Sequence, residues 1–447
     1  MVALVVTTIT LLLVLVSSRH SVLSAATVVV ATAAAAVFIV LEQRRPRIGI
    51  RPVVAAIGLV LLVAVSLPPR SSNDVWSYTM YGRMVSVHGS SPYQRVPADF
   101  KTDPFDKRVS PIWQHRGSVY GPAFVGYAAS LTFLAGDSVT VDRLLFQLGA
   151  LLVVAAVLWL VWRRTRSPSA VAWLGLHPLF GAVIVNNGQI DAFVGLAILA
   201  AVLLAYERRG VLAGAAIAAA SLVKITGVVA LAGVVFWLWR RGERRVAVAA
   251  TLTTGALVGL VYLPFLAGAS HVLNGADHTV TPGSPWNLPA QLLVGKDAGR
   301  DLPGLIVHNS TLSTIFYLSL ALTAVLGLGL AWRWARAPRP DLAAGVATAS
   351  YVVAAEYTLP WYAGWALPMF AERRISRIGW VVWAQAAVLL AAWRLPTHHT
   401  GGVFDTVLRG TFAYALPIVL VMAFAFLPYR AAPDEPPSPA AGPAPVS

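Results

Sequence analysis

The sequence predicts an all-α integral membrane protein that crosses the bilayer many times. Of its 447 residues, 57% are hydrophobic and 12% are charged, against roughly 45–50% and about 25% in soluble globular proteins. The charges stand in short runs between long uncharged stretches, as expected where about 20 apolar residues must cross a hydrocarbon layer. A soluble fold is therefore excluded, and the net charge of +15 is better explained by membrane orientation and anionic lipids than by nucleic acid.

About fourteen apolar segments can be traced along the chain, each near or below the ~20 residues that a bilayer needs. The first could be a cleaved signal peptide, but the second follows without a convincing cleavage site, and we interpret both as retained. The chain has no Cys, which excludes disulfides and thiolate chemistry. The segments lie at about 2–18, 22–41, 53–68, 144–162, 168–186, 190–206, 211–222, 226–239, 246–266, 311–332, 342–358, 361–371, 378–394 and 411–427.

The orientation follows from the basic runs, which should lie in the cytoplasm. One alternating path places all of them there, with the N-terminus, provided that the stretch 119–135 lies along the outer surface and does not cross. Residues 69–142 then form a long external loop with interfacial helices, and 267–310 form a second. Residues 1–430 make one domain in the plasma membrane, and the Pro- and Ala-rich tail 431–447 is predicted to be disordered and cytoplasmic. The basic runs are Arg44–Arg47, Arg163–Arg166, Arg208–Arg209, Arg240–Arg245, Arg333–Arg339 and Arg373–Arg377.

Ionisable groups in or beside membrane segments are costly to keep there and are functional candidates. Asp74 follows the third segment and Asp191 begins the sixth. Lys224 lies between two short segments, and Glu356 precedes Pro360. The predicted path brings these charged groups to the outer face, which indicates a site at the outer leaflet.

The densest polar stretch, Asn73–Arg83, combines a carboxylate, aromatic side chains and a guanidinium group. Asp74 could take the proton from an attacking hydroxyl while Arg83 binds a phosphate. The structural alternative is an Asp that caps a surface helix beside an interfacial aromatic belt. This stretch alone leaves both interpretations open.

A series of short motifs extends the pattern from about Asn73 to Met369. They are Asp74-Val75-Trp76-Ser77-Tyr78, Gly82-Arg83, Ser91-Pro92-Tyr93, Asp103-Pro104, Trp113, Tyr120-Gly121-Pro122 and Pro360-Trp361-Tyr362. The ordered set resembles actinobacterial polyprenyl-phosphate-mannose-dependent mannosyltransferases of the GT-C superfamily. The resemblance implies a GT-C-like fold with a catalytic first external loop, Asp74 as the general base, and a sugar that comes from a lipid phosphate. Asn186–Asp191 looks more like the Asn-Gly-Gln segments of another mannosyltransferase branch.

Further substrate contacts are predicted at the outer ends of the segments. Asn187, Gln189 and Asp191 suit sugar hydroxyls, although helix capping and local bonding would also use them. Lys224 could bind the donor phosphate or extend to the interface. Arg143 could also bind the donor phosphate, or it could pair with the neighbouring Asp142.

Aromatic residues complete the predicted site. Trp361 and Tyr362, with Glu356 before them, could stack on a sugar or an isoprenoid or belong to an interfacial belt. Tyr78 and Tyr120 lie in the loop motifs and are predicted to contact substrate. No His or carboxylate spacing indicates a metal site, so no cofactor is predicted, and a divalent cation that bridges Asp74 and the donor phosphate stays open.

The predicted function is the inverting transfer of mannose from a polyprenyl phosphate to a lipid or glycan acceptor at the outer face. No Gly-rich phosphate loop is present, so ATP-driven transport has no support. The alternative is a secondary transporter or lipid flippase, whose path would use Asp191, Lys224 and Glu356. Transporter sites tend to lie near the midplane between internal repeats, whereas these groups cluster at one face, which favours the transferase.

Overall fold

The protein is described by a computed structural model over residues 1–17, 20–265, 279–295, 310–396 and 400–428. Within these ranges the regular structure is helical, without strands, which confirms the predicted all-α class. The first helices are α1 (Val2–Val16), α2 (Val22–Arg44), α3 (Ile50–Ser66), α4 (Asp74–Ser86), α5 (Pro111–Gln114), α6 (Pro122–Ala135), α7 (Val139–Thr165), α8 (Pro168–Gly175), α9 (Asp191–Tyr206) and α10 (Gly210–Val223). They are followed by α11 (Val229–Arg240), α12 (Arg244–Tyr262), α13 (Asn287–Val294), α14 (Ser310–Trp334), α15 (Asp341–Ala354), α16 (Ala363–Phe370), α17 (Arg377–Arg394), α18 (Val403–Arg409) and α19 (Leu416–Phe426).

Several of these helices suit a membrane. Among the described residues, five stretches are long and apolar enough to cross one, judged by length and composition, and shorter apolar helices of 10–17 residues accompany them. A polytopic membrane protein is thus confirmed, and the count of about fourteen segments stays a prediction. The long stretches are Val22–Arg44, Val139–Thr165, Arg244–Phe265, Ser310–Trp334 and Val403–Phe426.

The predicted external loops are described only in part. The first, 69–142, is covered throughout and contains α4, α5 and α6. The helix α6 has 14 residues, and at about 1.5 Å per residue it extends about 21 Å, short of a ~30 Å hydrocarbon core. Of the second loop, 267–310, the structure describes 279–295, with α13, and the last residue Ser310. The predicted tail 431–447 lies outside the described residues.

Two close approaches bring separate helices together at one end of the molecule. A side chain at Gly195 in α9 would collide with the carbonyl oxygen of Gly364 in α16, 2.1 Å from the position of its Cβ. A side chain at Gly121 would meet the carbonyl oxygen of Leu222 at the end of α10, also at 2.1 Å. Glycine at these positions therefore allows the start of α9, the start of α16, the end of α10 and the loop before α6 to meet.

Candidate active site

Asp74 is the first residue of α4, and the polar segment before α9 holds the chain that leads to it. The side-chain oxygen of Asn187 accepts hydrogen bonds from the backbone N–H groups of Arg70, Ser71 and Ser72 at 3.0–3.1 Å. The side-chain amide of Asn186 donates to the carbonyl oxygen of Pro68 at 3.1 Å. Because buried amides satisfy this backbone, the entry to α4 is held in one conformation.

Gln189 joins Asp74 to the next turn of the same helix. The hydroxyl of Tyr78 donates to Oε1 of Gln189 at 2.6 Å, and Nε2 of Gln189 donates to Oδ2 of Asp74 at 3.1 Å. A carboxylate only accepts hydrogen bonds when it is ionised, so this amide orientation favours the ionised form. Asp74 and Tyr78 are four residues apart and share one face of α4, which explains how one side chain reaches both.

The environment of Asp74 suits an acid–base group. Burial raises the pKa of Asp74 above the usual value of an aspartate, while hydrogen bonds with Gln189 and Ser72 and the positive charge of Lys224 oppose that rise. The backbone N–H of Asp74 itself donates to Oγ of Ser72 at 3.1 Å. A carboxylate whose pKa has risen is a stronger base than an exposed one, and it stays held by neighbouring donors.

The ion pair of Lys224 and Asp191 lies near Asp74, where α9, α10 and α16 meet. Nζ of Lys224 lies 3.3 Å from Oδ1 of Asp191, and the indole N–H of Trp365 donates to the same oxygen at 2.6 Å. The other oxygen of Asp191 is buried and has no hydrogen-bond partner among the described residues. The carboxylate is therefore only partly satisfied and is available to a further donor.

Aromatic rings surround the Lys224 ammonium group. It lies 3.7 Å from the ring centre of Tyr362, 4.9 Å from that of Trp365 and 5.9 Å from that of Tyr120. Tyr362 and Trp365 are stacked, with ring centres 4.4 Å apart, and Tyr120 packs edge-on against Tyr78 at 5.2 Å. These rings connect the Lys224–Asp191 pair to the Asp74 group and form an aromatic wall with a cation against it.

Arg83, a predicted phosphate ligand, has other partners. Its guanidinium group donates to both oxygens of Asp103 at 2.9–3.0 Å, to Asp137 at 2.8 Å and to the carbonyl oxygen of Gly136 at 2.8 Å. Burial alone would raise the pKa of Asp103, but the N–H of Phe105, the ring of His88 and Arg83 outweigh it and hold that pKa below its usual value. Phosphate binding by Arg83 stays a prediction, and its charge is already paired within the loop.

Arg143 and Asp142, which could have paired with each other, have separate partners. Arg143 donates to Oε1 of Gln147 at 2.8 Å and to the carbonyl oxygen of Leu67 at 3.3 Å. Asp142 is buried and accepts a hydrogen bond from Thr79. Arg143 thus supports the end of α3, and phosphate binding by it also stays a prediction.

Glu356 and Trp361 are both buried and contact other parts of the fold. The carboxylate of Glu356 is buried and accepts a hydrogen bond from Ser319 of α14. Trp361 packs edge-on against Trp393 at 5.3 Å, and the indole N–H of Trp393 donates to the carbonyl oxygen of Ser71 at 2.8 Å. Trp361 therefore supports the segment that leads to Asp74.

Sequence reasoning missed three contributors to this site. Trp365 binds Asp191, Ser72 accepts from the N–H of Asp74, and Asn186 holds the chain before α4. Trp365 lies in an apolar run, where a tryptophan usually means core packing. Ser72 precedes a helix and could have been recognised as a candidate for capping. Among the described residues, no three His, Asp or Glu side chains are grouped so that they could hold a metal ion.

Comparison with known proteins is consistent with this arrangement. Residues 1–241 match the family described as alpha-(1->6)-mannopyranosyltransferase, N-terminal domain. Alpha-(1->6)-mannopyranosyltransferase A of Mycobacterium tuberculosis is 29% identical over 344 residues, which is 69% of this chain and 63% of that protein. A probable alpha-(1->6)-mannopyranosyltransferase of Mycolicibacterium smegmatis is 25% identical over 438 residues, 86% of this chain and 76% of its own.

Alpha-(1->6)-mannopyranosyltransferase A of Corynebacterium glutamicum is 28% identical over 194 residues, 41% of this chain and 39% of that protein. The chain therefore spans less than two thirds of the length of the A-type relatives that it matches. The resemblance to actinobacterial mannosyltransferases drawn from the motifs is confirmed. The family match covers more than half of the chain, and the protein belongs to the alpha-(1->6)-mannopyranosyltransferase family.

Proposed function

We propose that this protein transfers mannose from a polyprenyl phosphate to a lipid or glycan acceptor at the outer face of the plasma membrane, and that it inverts the configuration of the sugar. The family and its named relatives support mannosyl transfer. The observation that carries the mechanism is the hydrogen bond from Gln189 to Asp74, beside the Lys224–Asp191 pair. The positive charge of Lys224 also acts on the carboxylate of Asp74, which supports a base and a cation working in one aromatic-walled site.

Asp74 acts as the general base in this proposal. It takes the proton of an acceptor hydroxyl, whose oxygen forms a bond to the anomeric carbon of mannose while the bond from that carbon to the phosphate oxygen breaks. The electron pair of the broken bond leaves with the polyprenyl phosphate. A phosphate is a good leaving group without a proton, so one carboxylate is enough, whereas glycosidases use two.

Lys224 stabilises the departing phosphate. Its ammonium group is partly desolvated against Tyr362 and Trp365 and is paired with Asp191, which is a fitting setting for a charge-assisted bond to phosphate. Arg83 donates to protein acceptors through Nε, Nη1 and Nη2, and Arg143 donates to Gln147 and Leu67. Among the described residues Lys224 has one carboxylate partner, Asp191, and it has three N–H donors, so it is the preferred ligand of the three.

The other predicted substrate-binding residues have different roles in this proposal. Tyr120 and Tyr362 supply aromatic faces for a sugar or an isoprenoid. Substrate contact by Trp361, which packs against Trp393, stays a prediction. The side chain of Asn187 is fully occupied by the backbone before α4, and we assign it a positioning role. Direct substrate contacts of Tyr78, Gln189, Asp191 and Glu356 stay predictions.

The donor can be tested with the purified full-length protein in detergent, without any ion gradient. We expect labelled mannose to move from a polyprenyl phosphate to an endogenous or synthetic lipid acceptor, and not from a nucleotide-activated mannose. Transfer of mannose only from the nucleotide-activated sugar would contradict the lipid-linked donor. Vesicle uptake of substrate without transfer would instead favour the transporter.

The orientation can be tested by thiol labelling, because the chain has no Cys of its own. Lys101 is exposed in the first loop, and Arg45 is exposed between α2 and α3. In whole cells, an impermeant thiol reagent should label Lys101→Cys and leave Arg45→Cys unlabelled until the membrane is opened. The reverse pattern would place the site on the cytoplasmic side.

A further inference from the structure

A pair of neighbouring cavities lies at the opposite end of the helices that carry Asp191 and Lys224. Asp191 begins α9 and Lys224 follows the end of α10, whereas Tyr206 and Gly210 mark their other ends. The 16 residues of α9 extend about 24 Å at about 1.5 Å per residue. The cavities are thus separated from the candidate active site by nearly the thickness of a hydrocarbon core.

Arginine side chains dominate the lining of these cavities. One has a volume of about 300 Å³ and is lined by Tyr206, Arg208, Trp237, Arg241, Glu243 and Pro338. The other, of about 470 Å³, shares Arg208 and Arg241 and adds Arg240, Ala335 and Arg336. Glu243 is thus the sole carboxylate among these lining residues, against four guanidinium groups, and the cavities carry a positive charge that the lining does not balance.

The arginine side chains are held in place. Arg241 lies 4.8 Å from the ring centre of Trp237 and donates to the carbonyl oxygen of Pro338 at 2.9 Å. Arg208 pairs with Glu243 at 3.1 Å. Arg240 lies 3.9 Å from a ring centre of Trp332. A guanidinium group anchored on an aromatic face is ordered before a ligand arrives, and it suits the oxygen atoms of a phosphate.

The surroundings place the cavities at a membrane surface. Tyr206, Trp239 and Trp332 are 48%, 46% and 45% exposed, and a band of exposed Trp and Tyr is typical of the membrane–water interface. About two helical turns further along, α12 and α14 expose Leu252 and Leu328. Both helices pack against α11, which carries Trp237 and Arg240. An anion bound in the cavities would have apolar side chains beside it on the membrane side.

We propose that these cavities bind the phosphate of an anionic phospholipid in the leaflet opposite Asp74, with the acyl chains along α12 and α14. A soluble phosphate would use the same guanidinium groups but would gain nothing from Leu252 and Leu328. Basic pockets between membrane helices are suited to anionic headgroups in this way. The proposal is independent of the reaction at Asp74.

The test uses the purified full-length protein and short-chain phosphatidylglycerol below its micelle concentration, with binding followed by native mass spectrometry. One basic residue near an anionic surface contributes ~1 kcal/mol, or about five-fold in affinity. Arg208→Gln with Arg241→Gln should therefore weaken binding about 25-fold. Arg44→Gln with Arg45→Gln, at another exposed basic run, is the matched control and should bind like the unmodified protein.

If the double variant does not fold, Arg336→Gln takes its place. Arg336 is exposed, so this single variant should fold normally and weaken binding about five-fold. Binding by the unmodified protein should also fall as salt is raised. Equal binding by cavity and control variants, or equal binding of phosphatidylcholine, would overturn the proposal. Competition by inorganic phosphate at the same concentration as the lipid would assign the cavities to a soluble anion instead.

Discussion

Gln189 offers a specific test of how the base is prepared, because it donates to Asp74 and accepts from Tyr78. Gln189→Leu keeps most of the side-chain volume and removes both hydrogen bonds. A hydrogen bond to a charged group contributes about 1.5–3 kcal/mol, and one pKa unit corresponds to about 1.4 kcal/mol. Loss of this donor should raise the pKa of Asp74, which burial already raises, by about one to two.

A higher pKa of Asp74 should lower the rate of mannose transfer at low pH. A general base works only when it is ionised, so a higher pKa removes activity at low pH. The acid limb of the pH–rate profile for mannose transfer should therefore move upward by about one to two pH units in Gln189→Leu. Tyr78→Phe leaves the bond from Gln189 to Asp74 in place and should move the limb much less.

Gln385 provides a matched control for this experiment. It is a buried glutamine in α17, and its amide donates to the carbonyl oxygen of Gly283 at 3.3 Å. Gln385→Leu makes the same chemical change outside the contacts of Asp74, and it should change stability without moving the acid limb. An unmoved acid limb in correctly folded Gln189→Leu would refute the role of Gln189 in keeping Asp74 ionised.

Two further predictions concern the cations. Arg83→Ala should lower the free energy of unfolding, measured by denaturant titration in detergent, by about 3 kcal/mol, because buried Asp103 would lose its guanidinium partner and keep only His88 and the N–H of Phe105. Arg95→Ala, at an exposed pair with side chains 57% and 35% accessible, should cost about 1 kcal/mol or less, and equal losses would contradict this account. Lys224→Gln should raise the KM for the lipid donor about 10- to 150-fold through loss of a charge-assisted contact, whereas Lys224→Arg should retain most of the affinity. Unchanged donor dependence in Lys224→Gln would exclude phosphate binding there.

Much of this architecture could be predicted from patterns that are local in the chain. Long uncharged segments predicted the helical membrane class. The placement of Asp191 at one helix start and Lys224 at the end of the next predicted that they would share one face, because consecutive helices joined by a short turn run in opposite directions. The structure joins them directly, at 3.3 Å.

The partner of each side chain could not be predicted in the same way. Asn187 and Gln189 are two positions apart, yet one holds the backbone before α4 and the other contacts Asp74. Arg83 pairs with Asp103, twenty residues later, and no periodicity indicates that choice. Trp365 looks like an ordinary core residue until α16 packs against α9. Such pairings depend on tertiary packing between segments that are distant in the chain, and the spacing of residues in one sequence does not indicate it.

In the proposed reaction, the carboxylate of Asp74 takes the proton of the acceptor hydroxyl. Asp74→Asn keeps the size of the side chain and an oxygen that can accept the hydrogen bond from Gln189, but it has no oxygen basic enough to take a proton. Mannose transfer from polyprenyl phosphate by this variant should fall about 10²- to 10⁴-fold at equal monodisperse yield. Turnover close to that of the unmodified protein would contradict Asp74 as the base.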